Sequence, residues 1–381
     1  MFKVKKRLKA ARLGLLKTAH GNLQTPFFMP VATRGAVKLL STEDIRKLPF
    51  QIILSNTYHL LLRPGPKQVK KLGGLHTLAD WSGAILTDSG GYQVFSLARG
   101  RNKNGENLVK LSEQGVEFKS YLDGSKQSLT PEKVIDIQCD LGVDIAVCLD
   151  ECVALPASYE YLRQSIELTT RWAKRAKDYH AKLRGQKPLL FAVVQGGLDQ
   201  DLRMKSLADL AALDFDGYNI GGLSVGESPE EMYSVLDYLA PAMPDKKPRY
   251  LMGVGYPENI VAAVARGVDM FDCVIPTREG RHGRLFVRSA NYQKKLTKAL
   301  LTGRGQADFY EFYNLNNQQF ANSKEPINKD SKFAELRNYS LAYLHYLFKI
   351  DEALAQRLAT MNNLEFYAEL MKSVRAIIKA G

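Results

Sequence analysis

The apolar residues of the chain fall into eight short runs, and the segments between them have apolar residues at helical spacing. Short apolar runs of this kind are typical of strands that are buried on both faces of a parallel sheet. Strands that alternate with helices imply right-handed crossovers, and eight such units close an α/β barrel of the (β/α)8, or TIM, type. A doubly wound open sheet is the competing fold, but the GxGxxG loop that it would carry after its first strand is missing. The eight runs are Phe27 to Val31, Gln51 to Leu54, Ala84 to Thr87, Ile145 to Leu149, Leu189 to Val194, Tyr218 to Ile220, Tyr250 to Met252 and Phe271 to Ile275.

The connection between the third and fourth predicted strands, residues 88 to 144, is unusually long for a barrel of this type. It contains a basic, glycine-bearing stretch from Arg99 to Asn107 and then the alternating run Val116 to Tyr121. Alternation of this kind beside turn residues predicts an inserted hairpin after strand three, with a mobile basic tip.

The composition changes after the eighth run. Residues 288 to 336 are polar and aromatic without a clear period, which predicts a loop-like region. Two segments with one apolar helical face follow, at Arg337 to Ile350 and around Leu370 to Ile378, and the Asn362-Asn363 pair between them is typical of a turn. We therefore predict a catalytic barrel over residues 1–287 and a helical C-terminal subdomain over residues 288–381 that packs on it.

The net charge is +13 with a pI near 9.4, which favours a polyanionic partner such as nucleic acid over a charge needed only for solubility. The four cysteines form no CxxC pair and no disulfide framework. The first residues resemble no secretory signal, and no apolar stretch reaches the about 18 residues of a membrane span. These features predict a cytoplasmic protein without a membrane segment.

Polar residues stand where the predicted strands end, which is the edge at which barrels of this type carry their chemistry. Asp272 is the most unusual of them, because an ionised carboxylate inside an apolar strand costs several kcal/mol unless it is paired or reactive. Paired carboxylates are what glycosyl transfer needs, and amide and glycine backbone groups suit the edge of a polar heterocycle. The strand ends supply Asp88, Asp150, Gln195, Gly222, Met252 and Asp272.

Each of these residues also has an ordinary structural interpretation. A single aspartate at a strand end is more often a helix cap than a catalyst, and glycine pairs often serve tight turns. Six polar strand ends in one chain are harder to explain in that way. Arg278 and Arg281 follow the last strand in a glycine-containing segment, which predicts a basic, flexible loop that contacts phosphates or bases.

Six motifs of the chain, taken together and in order, resemble the bacterial tRNA-guanine transglycosylases. They are the run Asp-Ser-Gly-Gly-Tyr-Gln-Val-Phe-Ser-Leu at 88–97, Asp-Glu-Cys at 150–152, Gln-Gly-Gly at 195–197, Gly-Gly-Leu-Ser-Val-Gly-Glu at 221–227, Leu-Met-Gly-Val-Gly at 251–255 and Phe-Asp-Cys-Val-Ile-Pro-Thr-Arg at 271–278. The resemblance implies a TIM barrel that exchanges the wobble guanine, position 34, of a tRNA with a GUN anticodon for preQ1, a 7-deazaguanine precursor of queuosine.

The resemblance also implies a role for each matching residue. Asp272 would be the nucleophile that attacks C1′ of the ribose, and Asp88 would transfer the proton. Asp150, Gln195, Gly222 and Leu223 would read the base, while Cys152, Tyr92 and Met252 would line its pocket. Arg278 and Arg281 would hold the neighbouring nucleotides of the tRNA.

One feature of the family pattern is missing. The family carries a structural zinc bound by a Cys-x-Cys-x-x-Cys run and a downstream histidine, but the three cysteine positions here are Ser331, Phe333 and Leu336, and only His345 remains. Phenylalanine and leucine offer no ligand atom, so we predict a protein without zinc, in which these residues pack against the helix around 341–348. Binding by Asp330, Glu335 and His345 is the alternative, although the spacing is wrong. The family dimerises through this region, and we expect a homodimer.

Three alternatives remain open from the sequence. A non-catalytic tRNA-binding subunit would fit the altered metal site but gives no reason for buried carboxylates. A barrel glycosidase would not need the basic charge. Within the family, Cys152 and Val225 favour preQ1 as the incoming base, whereas a smaller residue at Val225 would admit queuine.

Overall fold

The eight barrel strands alternate with helices as predicted. The computed structural model describes residues 2–97 and 109–381, so the basic tip Arg99 to Asn107 lies outside the described residues. The strands are β1 (Phe2–Leu8), β2 (Ala11–Thr18), β3 (Gly21–Thr25), β4 (Phe27–Pro30), β5 (Ile52–Ser55), β6 (Ala84–Thr87), β7 (Val109–Ser112), β8 (Gly115–Lys119), β9 (Lys126–Leu129), β10 (Ile145–Val147), β11 (Leu189–Val194), β12 (Gly217–Ile220), β13 (Arg249–Leu251), β14 (Met270–Cys273), β15 (Arg284–Arg288) and β16 (Tyr310–Asn314). The helices are α1 (Thr42–Arg46), α2 (Thr57–Leu62), α3 (Pro66–Lys71), α4 (Gly74–Ala79), α5 (Gly91–Leu97), α6 (Pro131–Leu141), α7 (Tyr159–Lys182), α8 (Gln200–Ala211), α9 (Pro229–Ala242), α10 (Pro257–Ala265), α11 (Ile275–Arg281), α12 (Tyr292–Thr302), α13 (Ala334–Asn338), α14 (Leu341–Lys349) and α15 (Ala353–Ala380), with a 3-10 turn at Gln318–Phe320. None of these helices is long and apolar enough to cross a membrane.

Eight strands form the predicted parallel barrel. Their spatial order is β4-β14-β13-β12-β11-β10-β6-β5, with every neighbouring pair parallel. A parallel bridge between Val31 and Leu54 joins β5 back to β4, and the Ala32 amide donates to the Leu54 carbonyl at 2.6 Å. The predicted TIM barrel is confirmed, and each strand lies within two residues of its predicted bounds.

Several outer helices begin at capping residues that the sequence supplies. α9 is an example, because Ser228 and Glu231 form a reciprocal capping box and Pro229 occupies the first turn, where its missing N–H costs nothing. The Asp199 side chain caps α8 by accepting from the Leu202 amide, without a reciprocal bond. Such caps fix where these helices begin and therefore help to fix the loops that precede them at the carboxyl edge.

A three-stranded antiparallel sheet, β1-β2-β3, covers the amino end of the barrel. Phe2, Leu16 and Leu23 belong to the same apolar cluster as the residues inside the barrel. The fully buried Arg12 of β2 forms an ion pair with the equally buried Asp269, the residue before β14. The predicted strands began only at residue 27, so this sheet is an addition to the predicted fold.

The segment inserted after the third barrel strand is a three-stranded antiparallel sheet, β7-β8-β9, and not a single hairpin. The predicted run Val116 to Tyr121 supplies the central strand β8. Its second partner, Lys126–Leu129, was missed because it is only four residues long and three of them are polar. Val116, Phe118 and Leu129 carry the buried face of this sheet.

The region after the barrel is more regular than predicted. Residues 288–336 are not loop-like, since β15 and β16 pair antiparallel and α12 lies between them. The predicted helix over 337–350 is divided into α13 and α14, because Ser340 caps α14 by accepting from the Tyr343 amide. Aromatic packing around Phe286 orders this region, although its apolar residues follow no helical or strand period.

The Asn362-Asn363 pair does not form a turn, because both residues lie buried inside the single long helix α15. The Asn363 side chain accepts from the Phe286 amide at 3.0 Å and donates to the Pro276 and Arg284 carbonyls at 3.0 and 2.9 Å. Two neighbouring asparagines are thus tolerated in mid-helix, since the barrel supplies the partners that a turn would otherwise provide.

α15 occupies the place of the eighth outer helix of the barrel. The ring of Tyr367 lies against Phe28 of β4, with centroids 4.8 Å apart, and the Tyr367 hydroxyl donates to the Gly255 carbonyl beyond β13. Nearer the carboxyl end of the helix, Arg375 donates to the Pro26 carbonyl at 2.8 Å. The domain boundary after residue 287 remains a prediction.

Candidate active site

The residues predicted to act together lie on one edge of the barrel. Asp88 follows β6, Asp150 lies beyond β10, and Gln195 directly follows β11. The glycine pair that includes Gly222 follows β12, and Met252 follows β13, while Asp272 lies within β14. Because all eight strands are parallel, these positions form the rim of the carboxyl end.

The Asp272 carboxylate is held by two neighbours on the adjacent strand and loop. The Tyr250 hydroxyl donates to Asp272 Oδ1 at 2.6 Å, and the Gly253 amide donates to the same oxygen at 2.9 Å. Burial raises the pKa of Asp272, and the two hydrogen bonds oppose that rise. The Asp272 carboxylate is therefore fixed in orientation and partly desolvated, and a carboxylate in this state is suited to act as a reactive group.

The Asp88 carboxylate is buried and accepts three hydrogen bonds. Asn56 Nδ2 and Gln93 Nε2 donate to Oδ2 at 2.5 and 2.8 Å, and the Thr57 amide donates to Oδ1 at 2.9 Å. Burial nevertheless raises the pKa of Asp88 to about 6, with a smaller contribution from the negative charge of Asp272. A carboxyl that titrates close to neutral pH is suited to proton transfer.

Asp150 is connected to both neighbouring loops. It accepts from Ser89 Oγ at 2.9 Å and from Gln195 Nε2 at 2.8 Å. Burial raises its pKa, and the adjacent carboxylate of Glu151 adds to the rise. A Cβ on Gly91 would lie 2.6 Å from the Asp150 carbonyl oxygen, so the 88–91 turn fits against the next strand end only with glycine there.

The fully buried guanidinium of Arg203, in α8, holds the glycine loops after β11 and β12. It donates to the carbonyls of Gly197 at 2.6 Å and Gly221 at 3.0 Å, and more weakly to that of Gly222 at 3.3 Å. Burial lowers the pKa of Arg203 to about 10, which leaves it cationic at neutral pH. Gly222 has a φ of +62°, and a Cβ there would lie 2.5 Å from Gln195 Oε1. Arg203 therefore fixes the backbone on which the predicted base-reading groups stand.

The predicted pocket-lining residues come from three different strand ends. Tyr92 lies in the first turn of α5 and is 52% exposed, Met252 is half-buried after β13, and Cys152 is half-buried two residues beyond Asp150. Leu223, predicted to offer its backbone to the base, is buried next to Gly222.

Arg278 and Arg281 lie in the helix α11 and not in a flexible loop. The glycine of this segment, Gly280, packs against the C-terminal helix, because a Cβ there would lie 2.9 Å from the Thr360 amide nitrogen of α15. Glycine is therefore required for close helix packing. Burial, and then the charge of Arg278, lowers the pKa of Arg281. Arg278 is exposed, and its guanidinium lies 3.7 Å from the Glu279 carboxylate.

Several site residues escaped prediction. Gln93 and Ser89 lie inside the 88–97 motif, so the motif itself was a usable signal. Asn56 and Thr57 follow β5 as a polar pair, which also marks a strand end. Arg203 has no such signal, because an arginine in an amphipathic helix is ordinarily solvated.

The residues at the predicted zinc positions do not fit a zinc ion. Phe333 and Leu336 are buried among the apolar side chains around α14 and α15. The Ser331 hydroxyl donates to Glu365, and a ring nitrogen of His345 donates to the Leu315 carbonyl at 2.6 Å. The donor atoms of this region are thus engaged in protein hydrogen bonds.

In the part of the chain that the structure describes, one group of three potential ligands has its ligand atoms within 4.8 Å of one another: His20, His76 and Asp144. The rings of His20 and His76 are stacked with centroids 3.7 Å apart. The Asp144 carboxylate accepts from both rings and from the His20 and Ile85 amides, at 2.9 to 3.1 Å. Four donors saturate this carboxylate, so the group joins the N-terminal sheet and α4 to the base of β6.

The barrel carries the buried carboxylate of Asp88, the half-buried, partly desolvated carboxylate of Asp272, and a third carboxylate, Asp150, that is paired to an amide. An α/β barrel with this set of groups defines an enzyme of the kind that acts on glycosidic bonds. The model of the queuine tRNA-ribosyltransferase family matches residues 7–381, and the chain belongs to this family. The predicted resemblance to the tRNA-guanine transglycosylases is thereby confirmed.

Relatives named queuine tRNA-ribosyltransferase are similar over nearly their whole length. The Thermoanaerobacter sp. X514 protein is 46% identical over 369 residues, which cover 97% of this chain and 90% of the relative. The Rickettsia prowazekii protein is 44% identical over 380 residues, covering 100% and 97%. The Symbiobacterium thermophilum protein is 47% identical over 372 residues, covering 98% and 85%.

Proposed function

We propose that this tRNA-guanine transglycosylase exchanges the wobble guanine of a tRNA with a GUN anticodon for preQ1, through a covalent bond between Asp272 and the ribose. One observation carries the proposal: both hydrogen bonds that Asp272 accepts within the described residues end on Oδ1, which leaves Oδ2 to attack. In the first step the C1′–N9 bond breaks as a C1′–Oδ2 bond forms. In the second step N9 of the incoming base displaces the carboxylate, so two inversions give net retention.

Asp88 moves the proton in both steps. The departing guanine takes a proton from the Asp88 carboxyl, and the incoming base returns one from its N9. A pKa of about 6 supports this role, because both protonation states are accessible near neutral pH. The three hydrogen bonds from Asn56, Thr57 and Gln93 keep the carboxylate in place throughout.

The base lies against the neighbouring strand ends. Asp150 and Gln195, which are hydrogen-bonded to each other, present a carboxylate and an amide to the polar edge of the purine. Gly222 and Leu223 add backbone groups, and Tyr92, Met252 and Cys152 enclose the ring. An anticodon loop is already single-stranded, so moving one base into this pocket costs little.

Arg278 and Arg281 bind the nucleotides beside the exchanged one. Their position in α11, directly after the strand that bears Asp272, supports this role. The net charge of +13 supplies a general attraction for the tRNA.

Incorporation of radiolabelled guanine into tRNA tests the reaction, with Asp272→Ala as the inactive control and Asp272→Asn as the matched isostere. We expect exchange by the native protein, none by either variant, and ping-pong kinetics. A denaturant-resistant protein–tRNA adduct that is absent from both variants is the second readout. Native protein that binds tRNA without exchange would support the non-catalytic tRNA-binding role instead.

The incoming base is decided by competition between preQ1 and queuine. Val225 is half-buried three residues after Gly222, and its amide donates to Glu227 at 3.0 Å, which holds the backbone of this loop. We expect preQ1 to be preferred and Val225→Gly to relax the preference. Equal use of queuine by the native protein would contradict this choice.

The C-terminal segment holds no zinc and is stabilised by its own contacts. Glu365 of α15 accepts from the Ser331 hydroxyl and from the Lys332 amide at 2.7 Å, which ties the segment to the helix. Elemental analysis of the purified protein is expected to give well under one zinc per chain, and full activity after chelator treatment. One tightly held zinc per chain would refute the proposal.

The protein forms a homodimer in the cytoplasm. Tyr339, Tyr343, Tyr346 and Ile350 of the segment around α14 expose large apolar surfaces, with Tyr346 54% exposed. Clustered exposed aromatic residues are typical of an interface. Light scattering at micromolar concentration is expected to give twice the chain mass, and Tyr346→Asp to give the monomer; a monomeric native protein would exclude the dimer.

A further inference from the structure

Arg34 and Tyr121 form a pair of exposed side chains at the carboxyl edge of the barrel. Arg34 lies in the loop after β4, and Tyr121 lies in the connection between β8 and β9 of the inserted sheet. Arg34 Nη2 donates to the Tyr121 hydroxyl oxygen at 2.9 Å. Among residues 2–97 and 109–381, no carboxylate lies within 4.0 Å of this guanidinium, so its charge is open to an external anion.

The Tyr121 ring is supported from one side. It lies nearly parallel to the ring of the buried Tyr58, at 23° and 6.2 Å between centroids, and meets the ring of His59 edge-on at 6.4 Å. Burial, and then the charge of Arg34, lowers the pKa of His59, so this ring is neutral at neutral pH. Tyr121 is still 52% exposed, which leaves its outer surface free for contact.

This pair is structurally connected to the reacting carboxylates. α2 carries Tyr58 and His59, and its first residue, Thr57, donates its amide to Asp88. β4, which leads to Arg34, pairs directly with β14, and Met29 stands opposite Asp272. The pair therefore borders the reaction site from the β4–β5 side, whereas α11 borders it from β14.

We propose that Arg34 and Tyr121 form a nucleotide subsite for a tRNA residue next to the exchanged guanosine. The guanidinium binds a backbone phosphate, for which its planar fork of donors is suited. The open surface of Tyr121 stacks on the unpaired base. The inference rests on the proposed exchange reaction and adds residues for binding the tRNA.

Steady-state guanine exchange tests the subsite with Arg34→Ala, Tyr121→Ala and Tyr121→Phe. Arg184→Ala is the matched control, because Arg184 is an exposed arginine in the loop before β11, at the opposite end of the barrel. Arg34→Ala is expected to raise the KM for tRNA about tenfold and to lower the slope of log KM against log salt by about 1. Tyr121→Ala is expected to raise the KM for tRNA about 5- to 100-fold. Tyr121→Phe is expected to raise this KM far less, because the ring is retained.

The KM for free guanine and kcat at saturating tRNA are expected to change less than about twofold in all variants, which separates a tRNA subsite from a folding defect. If Arg34→Ala and Tyr121→Ala match Arg184→Ala in KM and salt slope, the subsite is wrong. If Tyr121→Phe is as impaired as Tyr121→Ala, stacking is refuted. Absence of exchange by the native protein would instead overturn the proposed function itself.

Discussion

Replacing Asp88 by asparagine is expected to stabilise the protein while removing its activity. The pKa of Asp88 is about 6 against 3.8 for an ordinary aspartate, because burial outweighs the three hydrogen bonds that it accepts. Between pH 4 and 6 the folded chain binds this proton more tightly than the unfolded chain, so stability falls as the pH rises through this window. At about 1.4 kcal/mol for each tenfold change in the dissociation constant, the ionised carboxylate costs about 3 kcal/mol at pH 7.5.

Asparagine recovers only part of this cost. Its Oδ1 can accept from the Thr57 amide, but its Nδ2 then meets the donor groups of Asn56 and Gln93. Gln93 Oε1 is buried and has no hydrogen-bond partner among residues 2–97 and 109–381, so turning over the Gln93 amide would supply an acceptor. One unsatisfied donor, on Asn56, remains and costs about 1–2 kcal/mol. The expected net gain is about 1–2 kcal/mol at pH 7.5, with exchange reduced at least about 100-fold.

Urea unfolding at pH 7.5 and pH 5.0 measures this effect. The gain from Asp88→Asn is expected to shrink at pH 5.0, where the native Asp88 is itself largely protonated. Asp144→Asn is the matched control, for which the opposite change in stability is expected. Burial raises the pKa of Asp144, but hydrogen bonds from His76, the Ile85 amide and His20 outweigh burial and hold this pKa below its usual value. That charge stabilises the fold above pH 4, so its removal should destabilise. A lower stability of Asp88→Asn at pH 7.5, or a gain that is equal at both pH values, would refute the reasoning.

Two further variants test the site, and a third tests the packing of α15. Tyr250→Phe removes a 2.6 Å hydrogen bond that opposes the raised pKa of Asp272, so the acid limb of kcat/KM should move to higher pH; an unmoved limb contradicts this role. Arg203→Lys keeps the charge, but a lysine cannot reach all the glycine carbonyls. The KM for guanine should therefore rise, and the free energy of unfolding should fall by about 2 kcal/mol. If both values are unchanged, Arg203 does not hold the glycine loops. Asn363→Ala leaves three buried backbone groups without hydrogen-bond partners, so the free energy of unfolding measured in urea should fall by about 3 kcal/mol. The isosteric variant Asn363→Asp serves as the comparison. A fall of less than about 1 kcal/mol would show that α15 does not depend on the Asn363 side chain.

The barrel was predictable because its strands are buried on both faces and therefore appear as unbroken apolar runs. The strand ends were predictable for the same reason, since a polar residue after such a run stands out. The N-terminal sheet lacks that signal: β1 reads Phe-Lys-Val-Lys-Lys-Arg-Leu, with most of its residues at least partly exposed. Its anchor is the buried Arg12, whose partner Asp269 is 257 residues away in the chain.

Within the site, the residues that belong to sequence motifs were predicted. The residues that contact the site from a neighbouring strand were not. Tyr250 reaches Asp272 only because β13 and β14 are neighbours in the barrel, with Tyr250 paired opposite Met270. The Asn362-Asn363 pair predicts a turn because the sequence shows only the local conformational preference of asparagine. The three backbone partners that hold Asn363 in a helix come from residues about 80 positions earlier in the chain.

The placement of α15 has a consequence for how the protein is made. The helix covers β4 and the loop after β13, yet it follows all eight barrel strands in the chain. During synthesis on the ribosome, Phe28 and the apolar surface around it stay uncovered until residues 353–380 have left the exit tunnel. At about 5–20 residues per second, the more than 300 residues between them take tens of seconds to a minute. Nascent chains of this protein should therefore bind chaperones late in translation, and a premature stop before residue 353 should send the product to aggregation or proteolysis.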